Sequence, residues 1–250
     1  MIEVKNATKG FYGRTVLEDV SHRFEKGKVN LVIGSSGSGK TVLIKCMVGL
    51  FELDKGSIEY DGRNFSAMDF KERRPIRREI GMLFQGSALF DSMNVEQNVM
   101  FPLMMLSDME PAERLEIANH CLQRVNLPNS NKLFPSELSG GMKKRVAIAR
   151  AIAMNPKYLY CDEPNSGLDP KTSIVIDELI MELTEEYQTT TVINTHDMNS
   201  VMTMGENILY IYKGRKWWSG SSEEILNSGN KELDEFVYAS KIMQGLRGKR

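Results

Sequence analysis

Two hydrophobic periods alternate along this chain. Residues 2–8 and 20–24 carry short strand patterns on either side of a Tyr12-Gly13 turn, and 29–33 is a β-branched apolar run that ends on a glycine-rich loop. A helical pattern starts at Lys40. Strand patterns return at 56–60, 80–84, 158–161, 190–194 and 207–212, and the apolar runs among them have the unbroken hydrophobicity of strands buried on both faces of a mainly parallel sheet. Between Gln85 and Pro156 no strong strand pattern occurs. That stretch carries helix signals instead: 94–106, then 112–125 behind Pro111 as a first-turn proline with Asp108 as a candidate cap, then 140–154. Short helical patterns follow at 222–226 and 233–243. The predicted class is α/β, a mainly parallel core sheet with an N-terminal antiparallel β region and an all-helical insert of about 70 residues.

Composition narrows this picture without redirecting it. The 250 residues are 41% hydrophobic and 26% charged, with 32 Lys plus Arg against 33 Asp plus Glu, so no global field draws the chain to nucleic acid or anionic lipid. The longest apolar run, Val99 to Leu106, is interrupted by Pro102, whereas a spanning helix needs roughly 20 residues. Residues 1–25 are charged throughout and lack the apolar stretch of a secretory signal, so a cytoplasmic chain that does not cross a membrane is expected. Cys46, Cys121 and Cys161 have neither disulfide nor zinc spacing. One oddity is 16 Met, six of them between Met82 and Met109.

Two segments carry phosphate and metal chemistry. Gly34-Ser35-Ser36-Gly37-Ser38-Gly39-Lys40-Thr41 matches G-x-x-x-x-G-K-[ST] between a strand and a helix. Glycines let consecutive N–H groups converge on one concavity, and the following helix adds its positive end, so the loop suits a polyphosphate. Lys40 would reach the β- and γ-phosphates and the Thr41 hydroxyl would ligate Mg2+. Tyr158-Leu159-Tyr160-Cys161-Asp162-Glu163 places two acids at the C-terminal end of a buried strand, where open α/β sheets bind ligands. Asp162 suits the Mg2+ shell and Glu163 the attacking water.

Leu138-Ser139-Gly140-Gly141-Met142 precedes a helix. Alone, it reads as a capping turn; in this order after the phosphate loop it resembles the signature loop of ATP-binding-cassette (ABC) ATPases. The resemblance covers almost the whole chain. Gln85 matches the Q-loop, Ser166-Gly167-Leu168-Asp169 the D-loop and His196 the switch histidine, with Phe11 or Tyr12 as the aromatic that stacks on adenine. It implies a P-loop ABC-ATPase fold in a single domain: a RecA-like core at about 1–85 and 156–220, a helical signature subdomain at about 86–155, and a C-terminal helical segment at about 221–250. It also implies MgATP hydrolysis. Glu163, His196 and Gln85 would be catalytic, and Thr41, Gln85 and Asp162 would hold the metal. Two copies would dock head to tail, so that Ser139, Gly140 and Gly141 of one close on the nucleotide held by Lys40 of the other, with Asp169 in the D-loop. Permease subunits in the bacterial inner membrane are the implied partners.

Within that family, Met142 and the segment Gly86-Ser87-Ala88-Leu89-Phe90-Asp91-Ser92-Met93-Asn94-Val95, followed by Pro102-Leu103, are similar to the ATPases of Mla-type lipid transporters, also described as MCE-linked or organic-solvent-resistance systems. Ser87 between Gly86 and Ala88 is a departure. An MCE-domain lipid carrier becomes a further implied partner. The alternatives are a small-solute importer, a lipoprotein-release system or a cell-division system. A soluble cassette acting on DNA or ribosomes needs tandem cassettes or a long coiled coil, for which the 53-residue gap from Gln85 to Leu138 has no room.

The Met-rich stretch has two readings. Met100, Met104 and Met105 with Phe101 fall at helical spacing, as core residues do, or they line a groove for a permease helix. Two basic clusters, Lys71, Arg73, Arg74, Arg77 and Arg78 with Glu72 and Glu79, and the tail Lys241, Arg247, Lys249 and Arg250, read as solvated faces or as contacts to anionic headgroups.

Overall fold

In the computed structural model, which describes residues 1–239, the chain begins β1 (Ile2–Phe11), β2 (Arg14–Phe24), β3 (Val29–Ile33), α1 (Lys40–Met47), β4 (Lys55–Tyr60), β5 (Arg63–Asn64), α2 (Arg73–Arg78), β6 (Ile80–Leu83), α3 (Val95–Leu106) and α4 (Pro111–Arg124). It continues α5 (Gly140–Ile152), β7 (Tyr158–Asp162), α6 (Pro170–Tyr187), β8 (Thr190–Thr195), α7 (Met198–Met204), β9 (Asn207–Tyr212), β10 (Arg215–Gly220), α8 (Ser222–Ile225) and α9 (Lys231–Val237). Two compact units result. One joins residues 1–68 to the described residues from 193 onward, and the other is 69–192.

In the first unit β1 lies between β2 and β4 in an antiparallel sheet that β5 completes. Tyr12 and Gly13 form the two-residue turn, with φ of 51° and 78° and Phe11 paired to Arg14. Two positive φ values give the turn the same twist as its strands. Strand β3, apolar except for Asn30, is buried at every residue and pairs in parallel with β9, while β10 returns antiparallel to β9. Leu17, Val20, Phe24, Leu31, Ile33, Leu43 and Ile44 are fully buried among them.

In the second unit β6 and β7 pair in parallel, Ile80 opposite Tyr158. No strand lies between them; α3, α4 and α5 occupy that interval. Asn94 and Gln97 form a reciprocal capping box at the start of α3. The cap expected from Asp108 is not made: α4 starts at Pro111 with Glu110 as its N-cap residue and no side-chain bond, because a first-turn proline sets the entry angle by its fixed φ. The 18-residue α6 has no counterpart in the sequence reading. It is nucleated by Asp169-Pro170 and buries Ile176, Leu179, Ile180 and Leu183. Among the described residues no helix is long and apolar enough to cross a membrane. The three cysteines are buried free thiols, and burial pushes Cys46 up to about 11. The tail residues Lys241, Arg247, Lys249 and Arg250, and the end of the helix expected at 233–243, lie outside the described residues.

The cluster at Met104 and Met105 is not core. Both side chains are exposed, at 48% and 61%, while Val95, Val99 and Leu103 fill the buried face of α3. Asn98, on that buried face and fully buried, ties the preceding loop to the helix. Its Oδ1 accepts from the Phe90 N–H at 2.8 Å and its Nδ2 donates to the carbonyls of Phe90, Met93 and Asn94 at 3.0–3.1 Å. Asn98→Ala removes four hydrogen bonds and takes this partner from the Phe90 N–H and the Met93 carbonyl, while the Phe90 and Asn94 carbonyls keep the Met93 and Asn98 N–H groups, so it should lower stability by about 2 kcal/mol in denaturant unfolding; a change under about 0.5 kcal/mol would show that the loop holds itself.

Candidate functional site

In the first unit the chain leaves β3 and turns through the loop from Gly34 to Thr41. Gly34 has φ of 148°, and a Cβ there would fall 2.4 Å from the carbonyl oxygen of Ile211, so only glycine fits. The Ser38 N–H closes a turn on the Ser35 carbonyl at 3.1 Å. Helix α1 then starts behind Gly39 without any side-chain cap. By contrast Ser139, Asp169 and Asp197 cap α5, α6 and α7 with their own oxygens. The positive end of α1 therefore opens onto the loop uncovered by a side chain. Lys40, only 5% exposed, curls into the same concavity and donates to the Gly34 and Ser35 carbonyls at 2.8 and 3.1 Å. An uncapped helix end beside a buried ammonium is a donor set that fits a polyphosphate.

The hydroxyl of Thr41 accepts a 3.1 Å hydrogen bond from Nδ2 of Asn194, a fully buried residue of β8. Asn194 was not anticipated; a polar side chain directly after Val192-Ile193 in the strand pattern 190–194 was the available signal. Phe11, at the end of β1, is half-buried edge-on to Phe51 at 5.2 Å, with the Lys9 ammonium 5.3 Å from its ring. Tyr12 stands fully exposed at the turn. His196 is exposed one residue past β8, and Asp197 behind it caps α7.

In the second unit Gln85 and Glu163 meet. Gln85 lies beyond β6 and donates from Nε2 to Oε2 of Glu163 at 3.1 Å. Asp162 ends β7, 6% exposed. Glu163 follows with φ of 48°, left-handed for a residue that is not glycine, and its carbonyl accepts the Ser166 N–H at 3.1 Å. The departure at Ser87 now has a physical description. Ser87 and Ala88, rather than Gly86, adopt positive φ (63° and 47°), and the guanidinium of Arg150 donates to both their carbonyls at 2.7 Å. Lys144, also unanticipated, is a buried cation on α5 that donates to the Gln85 carbonyl at 2.5 Å and the Glu163 carbonyl at 3.4 Å.

The signature and D-loop segments face one another in this unit. Ser139 accepts the Met142 N–H at 3.2 Å, so it is a capping residue whatever else it does. A Cβ on Gly141 would fall 2.8 Å from Cγ2 of Thr172, which is why α5 and α6 can start so close together. Between them a polar cavity of about 460 Å³ is lined by Ser139, Gly140, Gly141, Arg145 and Asp169. Asp169 accepts from the Thr172 hydroxyl and from the N–H groups of Thr172 and Lys171, and these bonds, the hydroxyl's first, hold its carboxyl below the usual range. Asn165 braces α6 through Asp177 at 2.7 Å. A second cavity, apolar and about 350 Å³, is lined by Met82, Phe84, Phe90, Phe101, Pro102 and Leu106.

A strand–phosphate loop–helix, a strand ending in two acids and a second glycine-led helix start define a class, the nucleotide-binding cassette ATPases. Residues 17–166 match the family model described as ABC transporter, and the chain belongs to that family as the ATP-binding subunit of an ABC transporter. It is similar to the dimeric structure of MJ0796, a bacterial ABC transporter cassette, with a TM-score of 0.81 and 33% identity over 89% of this chain and 99% of that one. The same cassette in a post-hydrolysis state bound to ADP and Pi matches equally well. Curated relatives include the probable ribonucleotide transport ATP-binding protein mkl of Mycobacterium leprae, 37% identical over 96% of this chain and 70% of its own length. The methionine import ATP-binding protein MetN of Campylobacter jejuni is 38% identical over 97% and 77%. The chain is thus an ATP hydrolase that uses Mg2+ and has the α/β cassette fold, and cassettes of this family dimerise and partner with membrane permease subunits.

Asn194 orients the hydroxyl expected to ligate Mg2+. Asn194→Val should weaken the Mg2+-dependent gain in affinity for a fluorescent ATP analogue by about tenfold, with metal-free binding unchanged; equal affinities with and without metal-ion titration in variant and parent would remove Asn194 from the site.

Proposed function

We propose that this chain powers a Mla-type lipid transporter, docked at the cytoplasmic face of a bacterial inner membrane as a homodimer beneath two permease subunits, with an MCE-domain lipid carrier as a further partner. What carries the lipid reading is the signature Leu138-Ser139-Gly140-Gly141-Met142 together with the segment from Gly86 to Val95. The exposed Met104 and Met105 and the apolar cavity at Phe84, Phe90 and Phe101 support a helix-docking surface beside that segment.

In this reading the loop residues Gly34, Ser35, Ser36, Gly37, Ser38 and Gly39 cradle the polyphosphate with their N–H groups, and Lys40 neutralises the β- and γ-oxygens. Phe11 or Tyr12 stacks on adenine. Thr41, Gln85 and Asp162 would hold Mg2+, which would draw charge from the phosphate oxygens. Glu163 accepts the proton of the attacking water and His196 holds the γ-phosphate. Ser139, Gly140 and Gly141 of the second copy bring the glycine-led start of α5, where Ser139 caps the Met142 N–H, to the same γ-phosphate, with Asp169 beside them, so ATP joins the two copies until its γ-phosphoryl group passes to water and leaves as phosphate. Gln85 donates to the carboxylate of Glu163, and this bond supports coupling between a displaced Q-loop and the base.

A second cargo reading rests on the MetN relatives. Clostridium tetani MetN is 40% identical over 97% of this chain, which favours a small polar solute as the alternative. Purification of the intact membrane complex with mass spectrometry of its bound proteins and lipids tests both: co-purified phospholipid with an MCE-domain protein supports lipid transport, and a small-solute binding protein in its place overturns it.

Two variants test the chemistry and the coupling. Glu163→Gln should leave ATP affinity intact, reduce turnover at least ~100-fold and accumulate an ATP-bound dimer in gel filtration; near-wild-type hydrolysis would mean another group is the base. Met104→Ser with Met105→Ser should change the stability of the isolated chain by less than about 0.5 kcal/mol and preserve its basal hydrolysis, while removing stimulation by the permease. Retained stimulation would exclude these side chains from the docking surface.

A further inference from the structure

We infer that Lys144 is the positioning residue that holds the catalytic loop and the Q-loop in one register, by binding their main chains rather than their side chains. The inference rests on Glu163 and Gln85 having the roles proposed above. Lys144 sits in the second turn of α5 and is 4% exposed. A lysine so deeply buried ordinarily has a carboxylate partner. Here its hydrogen-bond partners among the described residues are two carbonyl oxygens, that of Gln85 at 2.5 Å and that of Glu163 at 3.4 Å. Asp162 and Glu163 supply the compensating negative charge through space, against the burial that lowers the affinity of the amine for its proton.

The two carbonyls belong to the places where this unit most needs restraint. Glu163 is held at φ of 48°, a conformation that side chains other than glycine resist. Its carbonyl is fixed on one side by the Ser166 N–H and on the other by Lys144. Gln85 leads into Ser87 and Ala88, a pair with positive φ that Arg150, six residues along the same helix, clamps in the same way. Two cations of α5 thus bind the backbone on both sides of Gly86. The side-chain bond from Gln85 to Glu163 closes a ring through Lys144. A displacement of the Q-loop main chain is transmitted through the ammonium to the backbone of Glu163 as well as through the amide to its carboxylate.

Lys144→Met keeps the volume and removes the donors. In the purified full-length chain it should lower kcat at least tenfold with KM for ATP within about twofold. Hydrogen exchange should accelerate at the amides of Gln85 to Ala88 and Glu163 to Ser166, while the amides of α5 stay protected. Lys144→Gln, whose amide can reach one carbonyl, should fall between the two. In the Glu163→Gln background Lys144→Met should cause no further loss of turnover. A role in packing alone would loosen α5 itself and reduce active protein without changing kcat per folded site, and that result would overturn the inference, as would unchanged kcat with unchanged exchange. If Glu163→Gln leaves hydrolysis intact, it is the assignment of the base that fails, and the exchange arm alone then decides whether Lys144 holds the two loops.

Discussion

A triphosphate brings several negative charges to one place, and a chain of net charge -1 must meet them locally. The fold does so with helix starts, where first-turn N–H groups lack partners within the helix. Four of its helices begin on segments that carry the motifs, and three of the four are closed by a side-chain oxygen from Ser139, Asp169 or Asp197. The fourth, α1, is introduced by Gly39 and has no such cap. The difference separates helix ends that are finished by their own sequence from one that is left open, as the proposed polyphosphate site requires. The glycines around Lys40 serve that end by letting the loop come close to Ile211 and turn back on itself.

The second unit uses the opposite device. Where the phosphate loop leaves donors for a ligand, the segments around Gln85 and Glu163 present carbonyls, and cations from α5 bind them. Each of these segments contains residues in left-handed conformations that are not glycine. Such conformations persist where surrounding structure over-determines them, and a buried lysine and an arginine on one rigid helix do that. The signature helix therefore has two roles in one element: its first turn faces the polar cavity with Asp169, and Lys144 in its second turn and Arg150 in its third brace the backbone beside Gln85 and Glu163.

Much of this was legible because the governing rules are local. The run 29–33 became a strand with its predicted bounds, since four of its five residues are apolar and can be hidden together only on a strand buried on both faces. The Tyr12-Gly13 turn followed from its glycine, and Tyr12 takes beside it a positive φ of 51° that a bulky side chain ordinarily avoids. The cap at Asp108 failed because Pro111 sets the helix start closer to itself, and α6 was overlooked although Asp169-Pro170 announces it. The methionines at 104 and 105 share a helical period with Phe101, but period alone does not say which face a neighbouring element will cover, and Val95, Val99 and Leu103 took the core.

The motifs and their order were determined by the sequence alone: which loop is glycine-rich and ends in Lys-Thr, which strand ends in carboxylates, which helix start is glycine-led. Each depends on residue type at a fixed offset, and offsets survive without knowledge of the fold. What only the tertiary structure decided is how the functional groups are held. That Asn194 supports Thr41, that Lys144 binds Gln85 and Glu163 by their backbones, and that Ser87 rather than Gly86 takes the positive φ all join residues up to 153 positions apart in the chain. Carbonyl oxygens have no signature in a sequence, because every residue has one; only packing selects which of them a buried cation will find.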